Sequence, residues 1–204
     1  MQRRSMTGQM CVKGHLLEYE SSLERDFLTL AEWNPDIVTM AAQPVRLTFS
    51  DPSGGKRSYT PDFLATYRDG RQSLHEIKFR ADLKASWIYL RPRFECAIDW
   101  CRDRGSTFHI ETERKIRTPR LRNIRFLTHF SRADVGSTDE RALTEVLARR
   151  TAMTAAELIA LSGSGDPAFR TRNLWALVAS RRIGVDLDQP LSMSSIVHAE
   201  EGRP

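Results

Sequence analysis

The spacing of apolar side chains changes period several times along the chain, and each change marks an element. Leu23, Phe27 and Leu30 fall at i, i+4 and i+7, which predicts a helix from about Ser21. Asn34-Pro35 ends it, because proline pushes the preceding residue out of the helical region. Short extended runs follow: "DIVTMAAQPVRLTF", the turn-rich "DPSGGK", "RSYTPDFLATYR", the turn "DGR" and "SLHEIKF". Three strands joined by tight turns predict an antiparallel meander. From Leu83 to Arg104 the period is helical again, with Trp87, Leu90, Phe94, Ala97, Ile98 and Cys101 on one stripe and Gly105 as the stop. "STFHIE" reads as a fourth strand, and a basic segment then leads into a helix ending near Phe130. A helix between the third and fourth strands is a crossover. The sheet is therefore expected to be mixed, with helices on both faces.

The two ends of the chain differ from this middle. Residues 1–18 show no period and are expected to be a loose lead-in to an α/β domain at 19–132. "SRADVGSTDE" is polar and small, and places a linker at 133–137. Residues 138–204 then carry three helical patterns, at Asp139–Arg150, Thr154–Leu161 and Ala168–Arg181. Thr154 and Glu157 give the second of these a capping-box start. "RIGVDLDQPLSMSSIVHA" reads as two short strands about a Gln-Pro turn. Three helices followed by a hairpin is the order of a winged helix; a small helical bundle is the alternative.

Composition narrows the class. The chain has 204 residues, 40% hydrophobic and 28% charged, an ordinary globular balance. No apolar run reaches the roughly 18 to 20 residues of a membrane helix, and "MQRRSMTGQM" has no apolar stretch to make it a signal peptide. Three cysteines without a C-x-x-C pair disfavour a disulfide framework or structural zinc, so a cytoplasmic setting is expected. The net charge is +5, unevenly spread. Residues 1–136 carry 23 basic against 17 acidic side chains, the remainder 8 against 9. "RKIRTPRLRNIR", residues 114–125, has six basic side chains and no acid. Such a cluster suits phosphate contacts by counterion release, or is a solvated basic helix face. Arg80, Lys84, Arg114, Lys115, Arg117 and Arg120 are the candidate DNA-binding side chains.

Charges on strands raise the chemical question. Alternation puts Leu74, Glu76 and Lys78 on one face of "SLHEIKF", and His75, Ile77 and Phe79 on the other. Asp62, beside Pro61, lies on the preceding strand and shares the first face. Two carboxylates and a lysine suit metal-assisted phosphodiester hydrolysis. The carboxylates would be hard oxygen ligands for Mg²⁺, with Mn²⁺ as a substitute, and the lysine would meet developing negative charge. The plainer alternative is an exposed strand pair with a Glu–Lys contact of little weight. On the upstream helix, Glu24 borders the apolar face and can look toward the sheet. Ser21 to Glu24 is also a capping box, and Glu20 is the rival carboxylate.

"ESSLERDFLTLAEWNPDIVTMAAQP…YTPDFLATYRDGRQSLHEIKFR" resembles the N-terminal domain of TnsA, the endonuclease subunit of heteromeric cut-and-paste transposases in the PD-(D/E)XK nuclease superfamily. The likeness runs from about Glu20 to Phe130, with Gln43-Pro44 and "YTPDF" its distinctive parts. It implies a restriction-endonuclease-like α/β fold followed by a small winged-helix domain. It also implies an active site of Glu24, Asp62, Glu76 and Lys78, with Asp62, Glu76 and Glu24 toward the metal. The implied activity is cleavage of double-stranded DNA at the 5′ ends of the element. The implied partners are a TnsB-type DDE transposase and a TnsC-type AAA+ ATPase, the latter through the C-terminal domain. The chain departs from the best-known TnsA pattern in having Glu76 where that pattern has Gln. A stand-alone nuclease, or a silent DNA-binding adaptor on the same scaffold, are the competing readings.

Overall fold

A computed structural model of the chain describes residues 6–51, 53–164 and 166–200. It divides into two compact units, Met1–Arg117 and Thr118–Pro204.

The first unit opens with a hairpin, β1 (Gly8–Val12) and β2 (His15–Tyr19). Lys13 and Gly14 close it at φ of 51° and 82°, the left-handed pair that matches a two-residue turn to strand twist. Residues 8–18 are thus ordered strand rather than the expected loose lead-in, whose residues 1–5 lie outside the described residues. The pattern is hard to see because Val12 and Leu17 are the hairpin's only fully buried side chains among neighbours that face water. The hairpin leans on α1 (Ser22–Trp33). The Lys13 ammonium donates to the carbonyls of Glu32 and Asn34 at 2.8 Å, a cation against a helix C-terminus. Helix α1 starts where Ser21 accepts from the Glu24 N–H, buries Leu23, Phe27, Leu28 and Ala31, and ends at Asn34 before Pro35.

Four strands form the central sheet: β3 (Ile37–Ala42), β6 (Phe63–Tyr67), β7 (Gln72–Ile77) and β8 (Thr107–Glu111), in the order β3-β6-β7-β8. The first three are antiparallel and β7–β8 is parallel, so the sheet is mixed. The crossover is α2 (Arg80–Arg102). The simple meander is interrupted, because each long extended run breaks in two. Between β3 and β6 a separate hairpin stands apart, β4 (Leu47–Ser50) with β5 (Lys56–Tyr59). One break is Gln43-Pro44, where Gln43 turns left-handed at φ 47°. The other is Pro61, which has no N–H for a ladder. Asp69-Gly70 turns β6 into β7, with Gly70 at φ 84°.

Alternation then sorts the two faces. Phe63 and His75 turn toward α1, where the Phe27 ring lies 5.8 Å and 5.0 Å from theirs. Leu74 and Phe108 turn toward α2 and join Tyr59, Leu47, Leu90, Phe94, Ala97 and Cys101 in one core. Trp87 and Ile98, placed on that stripe by the sequence, are half exposed at 50% and 44%. With 23 residues, α2 is about 35 Å long and overhangs strands of five or six residues.

The second unit holds α4 (Pro119–Thr128), α5 (Ser137–Arg149), β9 (Ala152–Thr154), α6 (Ala155–Leu161), α7 (Pro167–Ala179), β10 (Ile183–Val185) and β11 (Ile196–Ala199). A short helix, α3 (Glu113–Ile116), precedes the division. The three strands pair antiparallel in the order β10-β11-β9. Thr154 and Glu157 make the expected capping box. The division falls at Arg117/Thr118, upstream of the 133–137 linker placed by composition, because α4 belongs with the helices after it. Phe126 meets Trp175 of α7 edge to face at 5.7 Å. The buried Asn123 amide donates to Leu187 and Gln189 carbonyls and accepts from the Leu191 N–H. A polar linker composition did not reveal that grip.

Candidate active site

Pro61 sets the first side chain. With no strand on either side of it, Asp62 sits one residue ahead of β6, not within a strand as its neighbours imply. Its carbonyl accepts from the left-handed Gln43 N–H at 2.8 Å. Its carboxylate Oδ2 accepts from the Ile77 N–H at 2.6 Å, which ties it to the end of β7. Glu76 comes up from β7 on the α2 face and is 2% exposed. Glu76 Oε2 accepts from the Tyr59 hydroxyl at 2.7 Å, and Oε1 lies 2.9 Å from Lys78 Nζ. Glu76 and Lys78 therefore meet, as strand alternation requires, and the Ile77 N–H ties Asp62 in beside them.

The electrostatics follow from crowding. Burial, and then the negative charge of Glu76, push the Asp62 carboxyl up to about 7. Lys78 and the Ile77 N–H pull it back, while Glu24 adds to the rise. For Lys78, burial works against the ammonium, but Asp62, Glu76 and Glu24 outweigh it and raise its pKa. Burial and the Glu76 charge also raise Tyr59, which keeps the phenol protonated and donating. The cluster is short of positive charge.

The helix carboxylates divide their work. Glu24 Oε1 accepts from the Ser21 hydroxyl and Oε2 from the Glu20 N–H, each at 2.8 Å, so both oxygens serve the helix cap. Its charge still reaches Asp62 and Lys78. Glu20 Oε1 accepts from Gln43 Nε2 at 3.3 Å. Glu20, Glu24, Gln43 and Asp62 line one cleft of about 550 Å³, walled on the other side by the β1–β2 hairpin. Among the described residues no three His, Cys, Asp or Glu side chains form a ready-made metal cage. The donor set nonetheless fits Mg²⁺, a hard cation that keeps several waters and takes one or two carboxylates. Asp62 and Glu76 would be that pair, and Glu24 could join only by leaving its cap.

The candidate DNA-binding side chains separate into two kinds. Arg80 and Lys84 are exposed one turn apart at the start of α2, directly after the site, and Arg114 and Lys115 are exposed on α3. Arg117 instead pairs with the buried Asp26 at 2.9 Å, donates to Ser22 and lies over the Phe79 ring. Arg120 grips Asp188 with two hydrogen bonds. The basic run is thus shared between the two units; Arg117 and Arg120 hold structure, and the exposed Lys115 ammonium lies 3.6 Å from Glu111 Oε2. On the far face of β7, His75 Nε2 lies 2.6 Å from Ser73 Oγ, and its Nδ1 lies 3.5 Å from Glu111 Oε1. His75 faces away from Asp62 and Glu76. Tyr59 was not among the candidate site residues. The signal was present, a hydroxyl-bearing aromatic three residues before Asp62 and just ahead of the proline break.

Residues 34–113 match the family model described as TnsA-like endonuclease N terminal. No curated protein matches the chain. The matched stretch includes Tyr59, Asp62, Glu76 and Lys78, and begins after Glu20 and Glu24. The PD-(D/E)XK order of the site is consistent with that family. Residues 34–113 are thus similar to a TnsA-like endonuclease N-terminal domain, which supports a nuclease of the TnsA type.

Proposed function

We propose that the chain is a Mg²⁺-dependent DNA endonuclease of a transposition system, hydrolysing the strands at the 5′ ends of a mobile element. The observation that carries this is the convergence of Asp62, Glu76 and Lys78, with Asp62 raised by burial and by its carboxylate neighbour. Like charges held together in a buried place are what a cation binds. Asp62 and Glu76 would hold the ion, and bound Mg²⁺ would supply Lewis-acid polarisation of the scissile phosphate. Lys78, one third exposed along its side chain, would turn its ammonium to charge developing on the phosphate. Ile77 N–H keeps Asp62 aimed, and Glu24 adds negative charge from the side. Arg80, Lys84, Arg114 and Lys115 would meet the DNA backbone.

The second unit we read as a winged helix. The order α5, β9, α6, α7, β10, β11, with β11 central in the sheet, supports it. A TnsB-type DDE transposase and a TnsC-type AAA+ ATPase are the proposed partners, the ATPase through this unit.

Strand-specific cleavage of transposon-end DNA with Mg²⁺, with and without the candidate transposase, tests the reading. Cleavage of the 5′ ends in the joint reaction, abolished by Asp62→Ala, is the expected result. Equal cleavage by wild type and Asp62→Ala would sink the site. Full cleavage without the partner would favour a stand-alone nuclease.

A further inference from the structure

Glu76 is the most enclosed charged group of the site, and its two oxygens have partners of unlike kind. Oε2 accepts from Tyr59, which is 7% exposed and held in the core between α2 and the β4–β5 hairpin. The Phe94 ring meets the Tyr59 ring edge-on at 6.4 Å. Oε1 is held by Lys78, whose side chain is 34% exposed at the end of β7. One partner is fixed by packing and the other has water beside it. A flexible ammonium with access to solvent can exchange its place; a phenol wedged among Phe94, Leu90 and Leu74 cannot.

We propose that Tyr59 is the positioning residue of this nuclease: its hydroxyl fixes the Glu76 carboxylate by Oε2, so that Oε1 is the oxygen offered to a divalent cation. The inference rests on the metal reading given above. It also assigns a purpose to β4 and β5. They lie outside the central sheet and are joined to it through Pro61, and their last residue is Tyr59. The hairpin brings a hydroxyl donor to the α2 face of the sheet, where among the described residues Tyr59 and Lys78 are the partners of the Glu76 carboxylate. The break at Pro61 then delivers Asp62 to the same place three residues later.

A ligand-orienting hydrogen bond of this kind typically supports about ten- to hundredfold in metal affinity or activity. The experiment is calorimetric titration of Mn²⁺ into the full chain, without DNA, for wild type, Tyr59→Phe, Asp62→Ala and Phe94→Leu. Tyr59→Phe keeps the ring and loses the hydroxyl, and is expected to weaken Mn²⁺ binding about tenfold. Phe94→Leu disturbs the same core without touching the hydrogen bond. It is expected to lower the unfolding midpoint while leaving Mn²⁺ affinity within about twofold of wild type. In cleavage, Tyr59→Phe is expected to raise the Mn²⁺ concentration needed for half-maximal rate, with KM for DNA unchanged.

Tyr59→Phe binding Mn²⁺ as tightly as wild type, while Asp62→Ala does not, would overturn the positioning role alone. Phe94→Leu weakening Mn²⁺ as much as Tyr59→Phe would overturn it too, leaving a packing effect. Equal binding by wild type and Asp62→Ala would overturn the metal reading and this inference with it.

Discussion

Asp62 shows what the site costs the fold. A carboxyl raised from 3.8 to about 7 in the folded state holds its proton more tightly there than in the unfolded chain. The stability it contributes is full below its unfolded pKa and is lost as pH rises from about 4 to about 7. Asp62→Asn removes that loss and keeps an acceptor for the Ile77 N–H. It is expected to be more stable than wild type at pH 8 by about 1–3 kcal/mol, and close to wild type at pH 4. Urea denaturation at the two values checks it, and a variant less stable at pH 8 would contradict the charge crowding. The carboxylates of α1 separate in the same way. Glu24→Gln keeps an acceptor and a donor at the cap, so a small stability change with a large loss of cleavage would mark Glu24 as part of the site. Glu20→Gln should then cleave normally. If the effects are reversed, Glu20 is the helix carboxylate. The sequence left this choice open because a capping glutamate and a metal-binding one are the same residue at the same spacing.

At the scale of elements, strand alternation was legible and strand continuity was not. Leu74 and Glu76 on one face of β7 and His75 on the other follow from a period of two, which holds wherever a strand is straight. The hairpin β4–β5 followed from no period, since its four-residue strands are too short to show one. Helix α4 was legible as a helix, but its membership was not, because that depends on what Asn123 and Phe126 touch. Asn123→Ala leaves the Leu187 and Gln189 carbonyls without their donor, and is expected to cost about 2–3 kcal/mol in denaturant unfolding. Arg120→Ala removes an exposed pair and should cost only about 0.5 kcal/mol. With its guanidinium occupied by Asp188, loss of Arg120 should leave the salt dependence of DNA binding unchanged, whereas Arg80→Ala or Lys84→Ala should reduce its slope. A reduced slope for Arg120→Ala would return it to the DNA contacts.

For the molecule as a whole, the order of residues along the chain carries a consequence for how it is made. Tyr59, Asp62, Glu76 and Lys78 all precede α2, and β8 follows it. The β6–β7 hairpin is local and can pair in microseconds. The parallel partner of β7 arrives only after the whole of α2 has been added, and pairings across such a separation form late. A chain still growing at Arg102 therefore presents β7 as an open edge, with Leu74 and Ile77 on it and the hydrogen-bonding groups that face away from β6 unpaired. Open apolar edges invite pairing with other chains, and charged side chains on an edge strand oppose it. Glu76 lies on that strand and Lys78 directly after it before β8 pairs with it. The charges that look misplaced in a finished sheet would, in the nascent one, oppose the joining of that open edge to another chain.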